Sequence, residues 1–74
     1  MTLYELVNDV TLQGNIRISS WNKDGEETIH LIVENHDDLF TGDLDESYED
    51  REVTYMFCPG DGYLHIEIES EDQT

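Results

Sequence analysis

The chain has 74 residues, with 19 Asp and Glu against three Lys and Arg, so its formal net charge at pH 7 is −16. This charge excludes binding to a nucleic-acid backbone or an anionic membrane, because both need clustered basic side chains and only Arg17, Lys23 and Arg51 are present. The length predicts one small domain, residues 1–74. With Cys58 as the single cysteine and no signal-peptide or membrane-span pattern, we expect a cytoplasmic protein.

Low hydropathy combined with high net charge is typical of disordered chains, but the apolar residues here are not spread evenly along the sequence. They cluster in runs of clear periodicity, and this pattern predicts a folded domain. Crowded carboxylates repel one another, so we expect the stability of the domain to rise with added salt.

Residues 2–10 predict a short amphipathic helix. Thr2 is followed three residues later by Glu5, the spacing of a capping box. One apolar stripe then repeats at helical spacing: Leu3, Leu6, Val7 and Val10. A helix of fewer than three turns is not stable alone in water, so we expect it to pack on a sheet.

Residues 15–21 and 27–34 alternate apolar and polar side chains and predict a first β-hairpin around Asp24-Gly25. Its inward side chains are Ile16, Ile18, Ile29, Leu31 and Val33, and its outward ones include Trp21, Thr28, His30 and Ile32.

Residues 52–58 and 63–69 predict a second hairpin around the turn at residues 59–62. Its inward side chains are Val53, Tyr55, Phe57, Leu64, Ile66 and Ile68, and its outward ones include Thr54, Met56, Cys58, Tyr63, His65 and Glu67. The predicted fold class is α+β: a short N-terminal helix packed on a four-stranded antiparallel sheet made of two β-hairpins, with an acidic crossover between them. The strand order is not predicted.

The crossover, residues 36–51, contains seven acidic residues together with Leu39, Phe40, Leu44 and Tyr48. The spacing of these apolar residues is compatible with one or two helical turns tethered to the core, and equally with a solvated loop of no fixed structure. If the segment were helical, it would carry one negative charge per roughly 3.4 Å of axis, the charge spacing of a single DNA strand.

Two groups of side chains partly resemble metal sites, but neither predicts one. Asp43, Asp45 and Ser47 have the spacing of the first calcium ligands of an EF-hand, but Tyr48 replaces the required Gly, and Thr54 the required Glu. His30, Cys58 and His65 all fall on outward strand positions, yet their spacing in sequence gives little support for a metal site. No catalytic motif is present, so we expect a protein without metal, cofactor or enzymatic activity.

The outward face of the predicted sheet has a large apolar content, because Trp21, Ile32, Met56 and Tyr63 share it with His30 and His65. Either the crossover or the C-terminal residues fold over it, or it is a partner or homodimer surface, since aromatic residues and Met are enriched in interface cores. Both interpretations remain open.

The stretches LYELVNDVTLQGNIRISSW and EVTYM followed by YLHIEIE resemble short acidic proteins carried by phages and conjugative elements of Gram-positive bacteria. Small acidic proteins of that setting include anti-CRISPR and anti-restriction inhibitors that imitate DNA, and the charge of this chain is similar to theirs. The resemblance implies an inhibitor that acts by binding.

A net charge of magnitude about 2–8 is enough for the solubility of a small domain, so a charge of −16 suggests a further role. We therefore predict a DNA-mimicking inhibitor that binds the basic nucleic-acid groove of a bacterial defence nuclease. The predicted contact residues are Asp37, Asp38, Asp43, Asp45, Glu46, Glu49, Asp50, Glu52, Leu39, Phe40, Tyr48, Glu67, Glu69 and Glu71. The alternative is an assembly protein of a mobile element that oligomerises through the outward sheet face.

Overall fold

The computed structural model of the protein describes residues 1–70, which form one helix and one four-stranded sheet. The elements are α1 (Leu3–Asp9), β1 (Gly14–Trp21), β2 (Glu27–His36), β3 (Val53–Phe57) and β4 (Leu64–Ile68), with a 3₁₀ turn at Thr41–Asp43. The crossover between β2 and β3 is therefore residues 37–52. Within residues 1–70 there is no helix of the length and apolar character that a bilayer span requires.

The strand order in the sheet is β2-β1-β4-β3. Both predicted hairpins are present, because β1 pairs antiparallel with β2 and β3 pairs antiparallel with β4. The prediction of a wholly antiparallel sheet is wrong, since β1 and β4 are parallel neighbours in the centre. Consequently β2 and β3, at opposite edges, run in the same direction, and the crossover must return along the sheet to connect them. The α+β class fits this mixed sheet.

The helix and the crossover cover one face of the sheet, which we call the covered face; it carries Ile16, Ile18, Ile66 and Ile68. The other face, which we call the open face, carries Arg17, Trp21, His65 and Glu67. The core lies between the covered face and the two segments on it, and its buried side chains are Leu3, Leu6, Val7, Ile16, Ile18, Leu39, Leu44, Tyr48, Ile66 and Ile68.

The first turn of α1 forms hydrogen bonds within its own capping box and also with the crossover. The predicted capping box is confirmed: the Glu5 amide donates to Thr2 Oγ1 at 3.1 Å, and the Thr2 amide donates to Glu5 Oε1 at 2.9 Å. The remaining first-turn amides of Leu3 and Tyr4 donate to the carbonyl oxygens of Arg51 and Glu49. Since free amides at a helix start need acceptors, the end of the crossover completes this helix.

A bulge at Thr54 changes which side chains of β3 face the core. Val53 pairs with Ile68, but the next paired residue, Tyr55, lies opposite Glu67, and Phe57 lies opposite His65. Because paired residues share a face, Tyr55 and Phe57 lie on the open face and not in the core as predicted. For the same reason Met56, opposite Ile66, lies on the covered side.

A second bulge, at His30, changes which side chains of β2 face the core. Leu31 and Val33 lie opposite Ile18 and Ile16 as predicted, whereas Ile29 lies opposite Ser19 on the open face. The His30 ring lies on the covered side, stacked on Tyr48 with ring centroids 5.0 Å apart, and its Nε2 is 2.8 Å from the Ser20 hydroxyl. The predicted inward position of Ile29 and the predicted outward positions of His30 and Thr28, which lies opposite Ser20 on the covered side, are therefore wrong.

Candidate interaction surfaces

The acidic crossover is held to the covered face by three buried side chains, Leu39, Leu44 and Tyr48. The predicted tethering to the core is thus present, and a loop without fixed structure is not. Burial also removes Leu39 and Tyr48 from the predicted contact residues, because a side chain inside the core cannot anchor a partner. Phe40, by contrast, is exposed.

The crossover is not a regular helix. It contains the 3₁₀ turn Thr41–Asp43 and a run of turns over residues 46–50. The even charge spacing expected of a helix is therefore not realised. The carboxylates instead lie on turns, and the buried side chains of Leu39, Leu44 and Tyr48 hold those turns in position.

Backbone hydrogen bonds fix both ends of the crossover. At its start the Leu39 amide donates to the carbonyl of Leu12 at 2.9 Å, and at its end the Val53 amide donates to the carbonyl of Met1 at 2.8 Å. The Met1 ammonium lies 2.6 Å from Glu52 Oε2, and hydrogen bonding to this carboxylate raises the pKa of the ammonium group. The segment is therefore connected to the rest of the domain along its whole length.

The crossover presents eight carboxylates in sixteen residues, six of them exposed. Two have one oxygen oriented by a backbone amide: Asp43 Oδ2 accepts from Phe40 at 2.9 Å, and Asp45 Oδ1 accepts from Ser47 at 2.8 Å. The bond from Ser47 lowers the pKa of Asp45. The exposed carboxylates are Asp37, Asp43, Asp45, Glu46, Asp50 and Glu52, and the half-buried ones are Asp38 and Glu49.

The structure separates Glu67 from the crossover carboxylates. Glu67 lies on the open face, where its Oε2 accepts a 3.1 Å hydrogen bond from Nε1 of Trp21. Glu69 follows the end of β4, and its amide donates to the carbonyl of Glu52. Glu71 lies outside the described residues. Glu67 and the crossover thus lie on opposite faces of the sheet, so the predicted contact residues do not all share one face.

The open face carries four large, exposed apolar side chains: Trp21, Ile29, Ile32 and Tyr55. The predicted interface residues Trp21 and Ile32 lie here, but Met56 does not, because the bulge in β3 places it on the covered side. The crossover lies on the covered face, so the interpretation that it folds over the outward apolar residues is wrong. Residues 71–74 are outside the described range.

A chain of polar contacts crosses the open face. The guanidinium of Arg17 donates two hydrogen bonds to the carboxylate of Glu27, one of them 2.8 Å long, and lies 3.3 Å from Nδ1 of His65. Because Arg only donates, Nδ1 accepts, and the proton on Nε2 is donated to Asp61 at 2.7 Å. Hydrogen bonding to Arg17 lowers the pKa of Glu27, and hydrogen bonding to His65 lowers the pKa of Asp61.

An open groove of about 490 Å³ lies beside the crossover, and its lining includes His30, Asp43, Leu44, Asp45 and Tyr48. The alternation of apolar and polar residues does not predict this groove, because it cannot show the bulge that places His30 against Tyr48. The same bulge separates His30 from His65, which lies on the open face. Among residues 1–70 no three His, Cys, Asp or Glu side chains are grouped as metal ligands would be.

Comparison with known proteins found no matching family model, no similar curated protein and no similar solved structure.

Proposed function

We propose that the protein is a DNA-mimicking inhibitor, and that its acidic crossover binds the basic nucleic-acid groove of a bacterial defence nuclease of the kind that anti-CRISPR or anti-restriction proteins target. One observation carries the proposal. Eight carboxylates fall within sixteen residues, and this segment is fixed by three buried side chains and by the start of α1.

The fixed placement of the carboxylates and their density both favour binding to a basic groove. A partner does not have to order the segment, so the loss of conformational entropy on association is small. The carboxylates already repel one another in the free protein, and a groove lined with Lys and Arg relieves that repulsion. The same groove releases its counterions on binding, as it does with DNA, and the opposite charges accelerate encounter.

The proposed contact set is smaller than the set predicted from sequence. It consists of the crossover carboxylates with Phe40 as an apolar anchor, because an exposed aromatic side chain among charges is a typical interface anchor. Leu39 and Tyr48 act indirectly by holding the segment. Glu67 is excluded, since it lies across the sheet and is bonded to Trp21.

The test compares two double variants of equal net charge. Glu46→Gln with Asp50→Asn removes two crossover charges, and Asp24→Asn with Glu26→Gln removes two from the turn between β1 and β2. Each protein is titrated into plasmid-cleavage assays with a panel of guide-loaded CRISPR nucleases and restriction enzymes. We expect wild-type protein to inhibit at least one enzyme, the crossover variant to be at least tenfold weaker, and the turn variant to be nearly unchanged.

Two further readouts separate mimicry from other inhibition. The affinity for the inhibited enzyme should fall steeply with salt, and excess duplex DNA should displace the inhibitor. Inhibition that excess DNA leaves unchanged, or that both double variants weaken equally, would contradict the proposal. So would the absence of inhibition across the panel combined with no capture of any basic nucleic-acid-binding protein from a bacterial lysate.

A second candidate function, an assembly protein that oligomerises through the open face, is favoured by the exposed apolar side chains there. In that case substitutions on the open face would abolish oligomer formation, and substitutions in the crossover would not.

A further inference from the structure

We propose that the groove beside the crossover binds the guanidinium group of an arginine side chain on the target protein, with the carboxylates of Asp43 and Asp45 and the hydroxyl of Tyr48 as its acceptors. The inference deepens the proposed function and rests on it, because this arginine would belong to the basic groove that the crossover enters.

Tyr48 gives the observation that points to a ligand. Its side chain is 6% exposed and its ring is stacked on that of His30, so the ring belongs to the core and holds the crossover. Its hydroxyl, however, has no hydrogen-bond partner within residues 1–70. Because Tyr48 has no enclosed polar atom without a partner, this hydroxyl reaches solvent, and Tyr48 lines the groove. A buried side chain thus leaves one polar atom free for a donor that enters the groove.

Asp43 and Asp45 add two negative charges to the lining of the groove. The Phe40 amide donates to Oδ2 of Asp43 at 2.9 Å. The Ser47 amide donates to Oδ1 of Asp45 at 2.8 Å. Both carboxylates are exposed, and neither has a cationic partner in the part of the chain that the structure describes. Oriented carboxylates without a counter-ion favour a cation as the ligand of the groove.

The arrangement of these acceptors favours a guanidinium group over an ammonium group or a metal ion. An arginine has five N–H donors spread over a planar fork, whereas a lysine has three donors on one compact atom. The groove is about 490 Å³ in volume and has acceptors on three separate residues, which a planar fork can reach together. Leu44 also lines the groove and can contact the methylene stem of the arginine. A metal ion needs its ligands around one point, and residues 1–70 contain no such group.

The groove lies within the surface that the proposed function already uses. Asp43 and Asp45 are crossover carboxylates, and Phe40, the proposed apolar anchor, donates its amide to Asp43. Grooves that hold nucleic acid are lined with Lys and Arg. Hydrogen bonds between a guanidinium group and carboxylates fix orientation as well as adding affinity, so an arginine here would make the attraction of charges a directed contact.

The test is an NMR titration of the isotope-labelled full chain with N-acetyl-arginine amide. N-acetyl-lysine amide, which has the same charge, is the matched probe. We expect the arginine probe to give saturable shifts centred on the backbone amides of residues 43–48. We expect the dissociation constant of the lysine probe to be higher by about threefold or more, the equivalent of one hydrogen bond.

Two pairs of variants test the acceptors. Tyr48→Phe removes the hydroxyl in the groove, and Tyr55→Phe removes one on the open face. Asp45→Asn removes a charge from the groove but keeps an oxygen that can accept from Ser47, and Asp24→Asn removes one charge from the turn between β1 and β2. We expect each groove variant to raise the dissociation constant of the arginine probe by about threefold or more, and each control to leave it nearly unchanged.

Shifts spread over the whole acidic surface, equal affinity for the two probes, or equal effects of a groove variant and its control would overturn the proposal. The titration contains no nuclease, so its result is separate from that of the inhibition assays. Binding of arginine in the groove without inhibition of any enzyme would support the site and contradict the proposed function. Inhibition that Tyr48→Phe and Asp45→Asn leave unchanged would support the function and overturn the site.

Discussion

Leu39 and Phe40 are neighbours in the chain but have opposite environments: the side chain of Leu39 is 2% exposed and that of Phe40 is 65% exposed. Leu39 packs in the core, and Phe40 points away from it beside Asp43. This pair shows how the crossover combines two tasks, since one side chain fixes the segment and the next is available for contact.

The first prediction compares alanine substitutions at these two positions. Leu39→Ala removes a buried side chain and should lower the free energy of unfolding by about 2–5 kcal/mol. Phe40→Ala should change it by about 0.5 kcal/mol or less, because the side chain is exposed. Urea unfolding followed by circular dichroism measures both. Similar destabilisation by the two variants would mean that the crossover is not anchored as described.

The second prediction concerns the capping box of α1. Thr2→Ala removes the acceptor for the Glu5 amide and should lower the free energy of unfolding by about 0.5–2 kcal/mol. Thr11→Ala, at an exposed position outside any element, is the control and should have little effect. The same urea unfolding experiment applies, and equal effects of the two substitutions would refute the role of the cap.

The third prediction is a pH dependence at Glu27. Arg17 holds the pKa of Glu27 below its usual value of 4.5, so ionised Glu27 stabilises the fold. This contribution is complete above the unfolded-state pKa and is lost as the pH falls through the lower folded-state pKa.

Repulsion among the crowded carboxylates acts in the opposite direction, because protonation relieves it, whereas Asp45 and Asp61, whose pKa values are also lowered, act in the same direction as Glu27. The stability difference between wild-type protein and Glu27→Gln isolates the contribution of Glu27. We expect this difference to be constant from neutral pH down to about 4.5 and to shrink below that value. Urea unfolding at a series of pH values measures it, and a difference independent of pH would show that the pair with Arg17 does not stabilise the fold.

The fourth prediction concerns salt. The melting temperature of wild-type protein should rise between low and moderate ionic strength, because added ions screen the carboxylates from one another. At low salt, Glu46→Gln with Asp50→Asn should melt higher than wild-type protein, and this gain should shrink as salt is added. Asp24→Asn with Glu26→Gln should give a smaller gain. Differential scanning calorimetry measures all three proteins, and a salt-independent melting temperature would contradict the repulsion argument.

The local elements could be predicted because their signals are local. The capping box at Thr2 and Glu5 and the hairpin turns at Asp24-Gly25 and residues 59–62 depend on residues a few positions apart. Helix and strand bounds from the sequence agree with the structure to within about two residues. The spacing of Leu39, Phe40, Leu44 and Tyr48 is compatible with contact to the core and equally with a solvated loop, so the sequence leaves the anchoring of the crossover open.

The misassigned features depend on long-range pairing. The bulges at Thr54 and His30 each shift the alternation by one residue, and a pattern of period two cannot show where a shift occurs. Because of these two shifts, the alternation predicts the wrong face for Met56, Tyr55, Phe57, Thr28, Ile29 and His30. The parallel pairing of β1 with β4 joins residues from opposite ends of the chain, and hydrophobic periodicity contains no information about it.

The central strand pair has a consequence for how the protein is made. Ile16 pairs with Leu64, so β1 gains its second neighbour only after the last strand has left the ribosome. Contacts this distant in sequence slow folding, and the first hairpin alone has neither the crossover nor β4 to complete its core. We expect chains truncated before Leu64 to be cut by proteases and chains that include β4 to resist them, because only the latter complete the central strand pair.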